Sequence, residues 1–259
     1  MTSTGRRSIR PEPLLLQDDL IVEGDNLEVL PRLPDSAFDL IYIDPPFNRG
    51  GSQRLAERAY ADPAHADYPA WLAPRLEHAR RLLAEHGTLY FHIDYREAHY
   101  CKVLLDEIFG RDCFLNEIVW AYDYGGRATR RWPAKHDTIL VYVRDPGRYW
   151  FDSAEVDREP YMAPGLVGAE KAARGKLPTD VWWHTIVHTT GTERTGYPTQ
   201  KPEGIVRRMV AASSRPGGWC LDFFAGSGTL GAVARALGRR YVLVDSNPEA
   251  IAVMRARLG

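Results

Sequence analysis

Short apolar runs alternate with longer amphipathic stretches through most of the chain. Apolar runs of five to seven residues, bounded by polar or turn residues, predict seven β-strands: Asp19–Glu23, Asp39–Ile43, Thr88–Ile93, Asn116–Tyr122, Thr138–Val143, Trp219–Phe224 and Arg240–Val244. Apolar residues at helical spacing between several of them predict six helices: Asp25–Leu33, Trp71–Glu85, Tyr95–Phe109, Lys201–Ser213, Ser227–Leu237 and Pro248–Leu258. This alternation indicates an α/β fold with a mainly parallel sheet covered on both faces.

Two segments depart from the alternation. No helix is predicted between Asn116–Tyr122 and Thr138–Val143, so we expect these two strands to pair as an antiparallel hairpin at one edge of the sheet. Residues 145–197 contain four Pro and six Gly and show weak periodicity. Because so long a loop inside a compact domain usually has a function, we expect a small irregular insert over residues 146–196.

Charge is segregated along the chain. The sequence has 33 Lys and Arg against 34 Asp and Glu, and a formal net charge of −1 taken alone argues against a nucleic-acid partner. However, residues 11–47 contain nine acids and one base, whereas residues 125–150 contain six bases and two acids. Opposed patches of this kind still allow a local anion-binding face.

Composition excludes several classes of protein. No apolar run approaches the roughly 18–20 residues of a membrane helix, and the polar N-terminus lacks the apolar core of a signal peptide. We therefore expect a cytoplasmic protein without membrane association, and a flexible basic arm over residues 1–18. Neither the three scattered cysteines nor the pair His184 and His188 forms a recognisable ligand set, so we expect no metal site.

A glycine-containing turn follows one predicted strand. In the run from Asp222 to Thr229 (DFFAGSGT), an apolar strand leads into glycines and then into a helix, an arrangement that presents backbone N–H groups to a ligand. Asp245 follows Gly226 by 19 positions, at the end of the next strand. Acidic residues at that place hold nucleotide ribose in Rossmann-like sheets.

A proline-rich turn follows another strand. Ile43 leads into Asp44, Pro45, Pro46 and Phe47, at the strand end where ligands of parallel sheets bind. The two prolines remove two N–H donors. A rigid turn of acceptors remains, with a carboxylate and an aromatic ring beside it, and it suits a planar ligand that carries an –NH₂ group.

These two turns resemble the marks of the β-class DNA amino-methyltransferases, which methylate N6 of adenine or N4 of cytosine. That family has a D/N/S-P-P-Y/F/W motif and an F-x-G-x-G motif, matched here by Asp44–Phe47 and Phe224–Gly228. The proline motif comes first, and the segment Tyr197–Pro202 lies just before the glycine strand, as in the β class. The stretches Glu23–Asn26, Phe91–Asp94 and Glu117–Trp120 fit the family as well.

The resemblance implies a circularly permuted class I methyltransferase sheet of seven strands, whose chain starts at the third strand and finishes with the first two. The implied catalytic domain comprises residues 19–145 and 197–259, and the insert 146–196 would recognise the target. The implied cofactor is S-adenosylmethionine. Gly226, Ser227 and Gly228 would wrap it, Asp222 would face its amino group, Asp245 its ribose and Asp25 its adenine. The whole implied cofactor set is Asp25, Asn26, Lys201, Pro202, Asp222, Phe223, Ala225, Gly226, Ser227, Gly228, Thr229, Asp245 and Ser246.

The proline turn suggests how an exocyclic amine is activated. Asp44 and the Pro45 carbonyl would accept its two hydrogens, which favours a pyramidal nitrogen whose lone pair faces the sulfonium methyl. The target base must be flipped out of the duplex, and Phe47 would stack on it. The implied catalytic residues are Asp44, Pro45, Pro46 and Phe47.

Adenine N6 is the preferred target, because Asp is more usual than Ser at the first motif position of adenine enzymes in this family. N4 of cytosine stays open, as do RNA, a protein amide, and a homologue that binds DNA or cofactor without activity. Methylation at C5 of cytosine is disfavoured, because none of the cysteines follows a proline as that chemistry's nucleophile does in its family.

Double-stranded DNA is the expected partner. The basic connection Asp123–Lys135 and the loop after the proline turn are the expected contact regions. Because the insert is small against a duplex footprint, we also expect a homodimer. The predicted DNA contacts are Asn48, Arg49, Tyr122, Arg127, Arg130, Arg131 and Lys135.

Overall fold

A computed structural model of the chain describes residues 12–55, 58–62, 64–125 and 127–259. The strands are β1 (Leu20–Glu23), β2 (Phe38–Ile43), β3 (Gly51–Leu55), β4 (Arg58–Asp62), β5 (Leu83–Ile93), β6 (Phe114–Ala121), β7 (His136–Val143), β8 (Val181–Trp183), β9 (Trp219–Asp222) and β10 (Arg240–Asp245). The helices are α1 (Asn26–Val29), α2 (Tyr68–Leu82), α3 (Ala98–Phe109), α4 (Ala169–Arg174), α5 (Glu203–Ser213), α6 (Thr229–Ala236) and α7 (Pro248–Leu258).

The main sheet has the strand order β1-β10-β9-β2-β5-β7-β6-β8. The first five strands in this order are parallel, β7 is antiparallel to both of its neighbours, and β6 runs with the parallel set. The strand that comes first in sequence therefore pairs with the last one, and β9 fills the centre beside β2. All seven predicted strands are present, and the expected α/β sheet with its permuted order is confirmed.

The sheet differs from the expectation at one edge. An eighth strand, β8, comes from the insert and pairs in parallel with β6, so the antiparallel hairpin lies one strand inside the edge. Three residues of sequence carry too weak a pattern to predict a strand. The polar hairpin of β3 and β4 was not predicted either, because it forms its own two-stranded sheet without an apolar run.

The boundary between α2 and β5 was predicted wrongly. The helix ends at Leu82 and the strand begins at Leu83, whereas the sequence predicted a helix to Glu85 and a strand from Thr88. Gly87 was interpreted as a helix stop. It lies inside the strand instead, where an added Cβ would come within 2.7 Å of the Phe38 carbonyl oxygen. The glycine is required because two strands approach closely at this point.

The insert and the arm both contact the domain. In the insert, Trp182 of β8 is buried, and the His184 carbonyl accepts a 2.7 Å hydrogen bond from the Trp120 indole. Residues 12–18, expected to belong to a flexible arm, lie along the domain, since Leu14 N–H donates to the Arg32 carbonyl at 2.9 Å. Apolar contact with the core accounts for this correction. Residues 1–11 of the predicted arm lie outside the described residues.

Two apolar layers cover the sheet. Helices α2 and α3 pack on one face through residues such as Leu72, Leu76 and Leu105, and α5, α6 and α7 pack on the other through residues such as Val206 and Met254. Burial of these side chains fixes the strands, and the strands in turn present their carboxyl ends along a single edge. Among the helices of the described ranges, none is long and apolar enough to cross a membrane.

Candidate active site

A cavity of about 550 Å³ lies at the carboxyl edge of the sheet. Four carboxylates from four different strand ends face it, namely Asp25, Asp44, Asp222 and Asp245. Eleven of the thirteen predicted cofactor residues line it, together with two of the four predicted catalytic residues: Asp25, Asn26, Asp44, Pro46, Lys201, Asp222, Phe223, Ala225, Gly226, Ser227, Thr229, Asp245 and Ser246. The two ends of the predicted site therefore form one continuous pocket.

The glycine turn has the backbone that only glycine adopts easily. Gly226 and Gly228 have φ values of +50° and +74°. The Gly226 N–H donates to Asp245 at 2.8 Å, which ties the turn to the next strand. An added Cβ at Gly228 would lie 2.8 Å from Met254, so this glycine is needed for packing against α7. Gly228 does not line the cavity, although the resemblance placed it on the cofactor.

The carboxylates at the cofactor end are buried. Burial raises the pKa of Asp222 well above its ordinary value, despite a 2.9 Å hydrogen bond from the Phe224 N–H. Burial also raises the pKa of Asp245, although backbone N–H groups of Gly226 and Asn247 donate to it. A bound ammonium or hydroxyl donor would favour the ionised form of both groups. The residues therefore fit a ligand that brings cationic and hydroxyl donors into the cavity.

One wall of the cavity was missed by the sequence analysis. The Trp71 ring stacks on His65 with centroids 4.4 Å apart, and the Arg75 guanidinium carbon lies 4.1 Å from the centroid of the same ring. Arg75 also donates to the Asn26 amide at 2.8 Å, and Asn26 donates to the Phe223 carbonyl at 3.1 Å. Trp71 and Arg75 belong to α2, where their spacing indicated only an amphipathic helix.

The proline turn faces the other end of the cavity. The Tyr68 hydroxyl donates to the Pro46 carbonyl at 2.5 Å, which fixes the turn from α2. Asp44 Oδ1 is buried and has no hydrogen-bond partner among the described residues. The Nδ1 atom of His92 lies 3.8 Å from this oxygen. Asp44 Oδ1 is therefore a free acceptor to which the N–H group of a ligand can donate.

Lys201 lines the cavity, as the resemblance implied, and also contacts the proline turn. Its ammonium forms an ion pair with Asp44 Oδ2, and both side chains are about 15% exposed. The Thr229 hydroxyl donates to the Lys201 carbonyl at 3.1 Å and joins this segment to the start of α6. Pro202, also predicted on the cofactor, is buried as the N-cap of α5 and does not line the cavity.

Phe47 is largely buried beside the turn. It is 8% exposed, and its ring centroid is 5.9 Å from that of His92. The Arg49 guanidinium carbon and the Lys201 ammonium lie 5.2 and 5.1 Å from the same ring centroid. Neither Phe47 nor Pro45 lines the cavity as it stands. Stacking of Phe47 on a base therefore requires the Arg49 or Lys201 side chain to move aside.

The predicted DNA contacts divide into two groups. Asn48, Arg49, Tyr122 and Lys135 are held by the protein itself: Asn48 bonds Glu97 and the His65 N–H, Arg49 bonds Asp62, Tyr122 bonds Asp137, and Lys135 bonds two loop carbonyls. Arg127, Arg130 and Arg131 are exposed, and no ion pair is found for them within the part of the chain that the structure describes. The second group is free to meet phosphate.

In the described ranges, no three His, Cys, Asp or Glu side chains are grouped so that they could hold a metal ion. All three cysteines are buried and free of disulfide bonds.

Permuted sheets of this kind, with the proline turn and the glycine turn at two ends of one cavity, are those of methyltransferases that use S-adenosylmethionine. The family comparison makes this class more specific. A family model described as DNA methylase, of the N6/N4 type, matches residues 38–255. The chain belongs to that family.

Relatives in sequence and solved structures of similar fold are methyltransferases as well. The chain is 32% identical over 248 residues to the type II methyltransferase M.HpaI of Haemophilus parainfluenzae, with 93% of this chain and 74% of that protein covered. It is 31% identical over 246 residues to the DNA adenine methyltransferase YhdJ of Escherichia coli K12, with 92% and 82% covered. The cytosine-N4-specific PvuII DNA methyltransferase has the same fold, with a TM-score of 0.69 at 16% identity over 92% and 86% of the two chains. M1.HpyAVI, solved as a SAM complex, gives a TM-score of 0.64 at 20% identity over 93% and 98%.

Proposed function

We propose that the protein transfers a methyl group from S-adenosylmethionine to N6 of adenine in double-stranded DNA. The observation that carries this proposal is the buried, unpartnered Oδ1 of Asp44, in the turn that faces the cofactor cavity. An oxygen of this kind is an acceptor for one hydrogen of an exocyclic amine. The second hydrogen would go to the Pro45 carbonyl, as the resemblance implies, while the Pro46 carbonyl accepts from Tyr68 and holds the turn in place.

Two considerations favour adenine over cytosine. Asp at the first position of the proline motif is the form that the family uses more often for adenine, and this chain has Asp44 there. YhdJ, which is similar over 92% of this chain, is named a DNA adenine methyltransferase. N4 of cytosine is the alternative, since the family includes both chemistries.

The chemistry requires little beyond orientation. When bound, S-adenosylmethionine supplies an electrophilic methyl group. Asp44 and the Pro45 carbonyl hold the amine so that its nitrogen lone pair is free of the ring, and the fixed turn keeps that geometry in the transition state. The ammonium of Lys201 forms an ion pair with Asp44 Oδ2 and leaves Oδ1 to face the amine. The flipped base stacks on Phe47 after the neighbouring cation has moved aside.

We propose that the remaining parts of the chain serve DNA binding. The loop from Tyr122 to Lys135 leaves the same sheet edge as the proline turn, because β6 runs with the parallel strands. Its free arginines bind phosphate, the insert 146–196 recognises the target sequence, and a homodimer extends the contact along the duplex in the cytoplasm. Light scattering in solution tests this last part: the mass of one chain at full activity contradicts the dimer.

The deciding experiment uses tritiated or ¹⁴C-methyl cofactor and unmethylated DNA, followed by digestion and separation of the nucleosides. We expect label in N6-methyl-2′-deoxyadenosine. Label in N4-methyl-2′-deoxycytidine would mean that the target base is cytosine, and an absence of label in DNA would reject DNA as the substrate.

The site assignment is tested in the same assay with Asp44→Ala. Transfer should fall by at least about 10³-fold, because both the acceptor and its orientation are lost. Cofactor binding by calorimetry should be unchanged, since Asp44 lies at the opposite end of the cavity from Asp245. An active Asp44→Ala variant contradicts the assignment of the target turn.

A further inference from the structure

A buried histidine lies directly behind the target carboxylate. His92 of β5 is fully buried. Its Nδ1 is 3.0 Å from the Tyr42 hydroxyl and 3.8 Å from Asp44 Oδ1, and its Nε2 is 3.3 Å from Asp137 Oδ2. The proposed methyl transfer, as derived above, has no use for this imidazole. A buried titratable side chain between two carboxylates nevertheless suggests chemistry rather than packing alone.

The hydrogen bonds fix which nitrogen carries the hydrogen. Burial raises the pKa of Tyr42 well above its ordinary value, so the hydroxyl keeps its proton and donates to Nδ1. Nε2 then carries the hydrogen and donates to Asp137, whose other oxygen accepts from Tyr122 at 3.1 Å. Burial alone would raise the pKa of Asp137, but the hydrogen bonds from His92 and Tyr122 bring it below its ordinary value. The single lone pair of Nδ1 therefore accepts from the Tyr42 hydroxyl, and Asp44 Oδ1 lies 3.8 Å from the same nitrogen.

We propose that His92, held by Asp137, is a positioning residue that takes up through Asp44 the proton which the target amine loses. The inference rests on the proposed function, because the proton comes from the methylated amine. It assigns a role to two residues, His92 and Asp137, that lie on neighbouring antiparallel strands and do not touch the target themselves.

The proton balance is complete without a further reactant. The amine nitrogen forms a bond to the methyl carbon, the carbon–sulfur bond of the cofactor breaks, and its electron pair stays on sulfur. As this bond forms, the nitrogen passes one of its hydrogens to Asp44 Oδ1 as a proton, so the loss of the proton belongs to the methyl-transfer step itself. Once the Tyr42 hydroxyl hydrogen has turned away from Nδ1, Asp44 rotates across the 3.8 Å gap and passes the proton to Nδ1, and Asp137 stabilises the resulting imidazolium. Water removes the proton after the product base has left.

Among the described residues, the charged and titratable groups around His92 come from several different elements. Tyr42 comes from β2, Asp44 from the turn after it, and Asp137 from β7, while Lys201 acts on Asp44 and Tyr122 on Asp137. The remaining contacts are the rings of Phe47 and Trp120, with centroids 5.9 and 5.5 Å from that of His92.

The chain offers a matched control. His86 Nε2 and Asp39 Oδ1 form a second histidine–carboxylate pair at 2.9 Å, near the start of β2 and outside the cavity. Replacing His86 removes an imidazole from a carboxylate without touching Asp44. If His92→Ala loses activity only because a buried histidine–carboxylate pair is broken, His86→Ala should lose activity as well.

The experiment measures single-turnover methyl transfer by the full-length protein with His92→Ala and with His86→Ala, each with and without added imidazole. For His92→Ala we expect a rate about 10²-fold below that of the unmodified protein, with unchanged cofactor affinity by calorimetry. Added imidazole should raise the rate of His92→Ala by about tenfold or more. The rescued rate should increase with pH, because only neutral imidazole can accept the proton. His86→Ala should keep its rate and ignore imidazole.

A folded His92→Ala protein that keeps its rate, or that imidazole does not restore, would overturn the proposal. If His92→Ala does not fold, Asp137→Asn decides instead: its rate should fall about tenfold, and ¹⁵N NMR should show that His92 no longer keeps its hydrogen on Nε2 alone. A full rate with an unchanged tautomer would equally overturn it. Asp44→Ala in the same assay separates the two proposals, because an inactive Asp44→Ala beside an unaffected His92→Ala rejects only the proton transfer.

Discussion

Two buried carboxylates, Asp222 and Asp39, have pKa shifts of opposite sign. Burial dominates at Asp222, where it raises the pKa. At Asp39 burial acts in the same direction, but hydrogen bonds from Arg215 and His86 outweigh it and lower the pKa. The negative charge of Asp39 is therefore compensated within the protein, by Arg215 and His86. The charge of Asp222 is compensated only when a ligand brings a positive charge.

Asp222→Asn should stabilise the free protein and weaken cofactor binding. The raised pKa means that folding favours the neutral form, so the carboxylate costs stability at neutral pH and costs progressively less as pH falls toward the unfolded value of 3.8. Thermal unfolding at pH 8, 7 and 5 should show a gain in Tm that shrinks with falling pH. Calorimetry should show a Kd for S-adenosylmethionine raised by about 10- to 100-fold, the worth of a hydrogen bond to a charged group.

Asp39→Asn should behave in the opposite way. The lowered pKa gives stability that is present above the unfolded value of 3.8 and lost as pH falls through the folded value. The variant should lose about 1–3 kcal/mol at neutral pH, measured by urea unfolding, and keep its cofactor affinity. Equal effects of the two substitutions on both quantities would contradict the distinction drawn between these carboxylates.

At the scale of elements, the loop between β6 and β7 is the most exposed basic feature near the site. Its arginines at positions 127, 130 and 131 extend into solvent, while Lys135 secures the loop by donating to the carbonyls of Asp123 and Gly125 at 2.7 and 3.0 Å. A loop that is held at its base by hydrogen bonds and carries exposed arginines at its tip is suited to bind a phosphate backbone.

Replacing Arg127, Arg130 and Arg131 with Ala should weaken DNA binding at all sequences alike. Each lost phosphate contact should reduce the slope of log K against log salt by about 0.9, so a titration across salt concentrations measures how many of the three bind DNA. Arg255→Ala is the control, because this exposed arginine lies in the last turn of α7, away from the loop. A slope that does not change in the triple variant rejects this loop as the phosphate-binding element.

Trp132 in the same loop is 94% exposed. Since it packs on nothing, Trp132→Ala should leave the stability within about 0.5 kcal/mol. If the ring stacks on a DNA base, affinity should fall by about 1–3 kcal/mol, and the fluorescence quenching that DNA causes should largely disappear. Leu15→Ala, another exposed apolar position far along the sheet, should change neither quantity. If Trp132→Ala binds DNA with unchanged affinity, the ring does not stack on a DNA base.

The sequence predicted the elements whose pattern is carried by their own residues. The seven strands of the permuted sheet have apolar cores, and the two turns carry their signals in prolines and glycines. What could not be predicted depends on partners distant in sequence. Strand β8 exists because β6 offers an open edge, Trp71 reaches the cavity from an ordinary helix pattern, and the pairing of Lys201 with Asp44 joins residues 157 positions apart.

At the scale of the whole molecule, the site lies across a narrow join between two parts of the sheet. β2 and β9 are paired only at Leu40 with Cys220 and at Ile41 with Leu221. Asp44 follows β2 and Asp222 ends β9, so a ligand in the cavity contacts both sides of this join. Binding therefore holds together two parts of the chain that share few backbone hydrogen bonds.

Saturating S-adenosylmethionine should stabilise the protein and protect the join. At a concentration of about 100 Kd, mass action contributes about 2.7 kcal/mol, measured as a rise in Tm. Hydrogen exchange should slow most at the amides of Ile41, Leu221 and their neighbours. Asp222→Asn should reduce both effects in proportion to its weaker binding. A rise in Tm without local protection at the join would contradict this account.

The pairing of β2 with β9, two strands far apart in sequence, has a consequence for biosynthesis. As the ribosome releases the chain, β2 emerges long before β9, so one side of β2 stays open while about 180 further residues are made. The nascent protein therefore exposes an unpaired apolar edge at the future centre of its sheet, where β-aggregation starts most readily. In the finished sheet this edge of β2 is covered by β9, which is made near the end of synthesis. Expression yield should consequently depend on chaperones that shield extended segments, more than it would for the same sheet threaded in the unpermuted order.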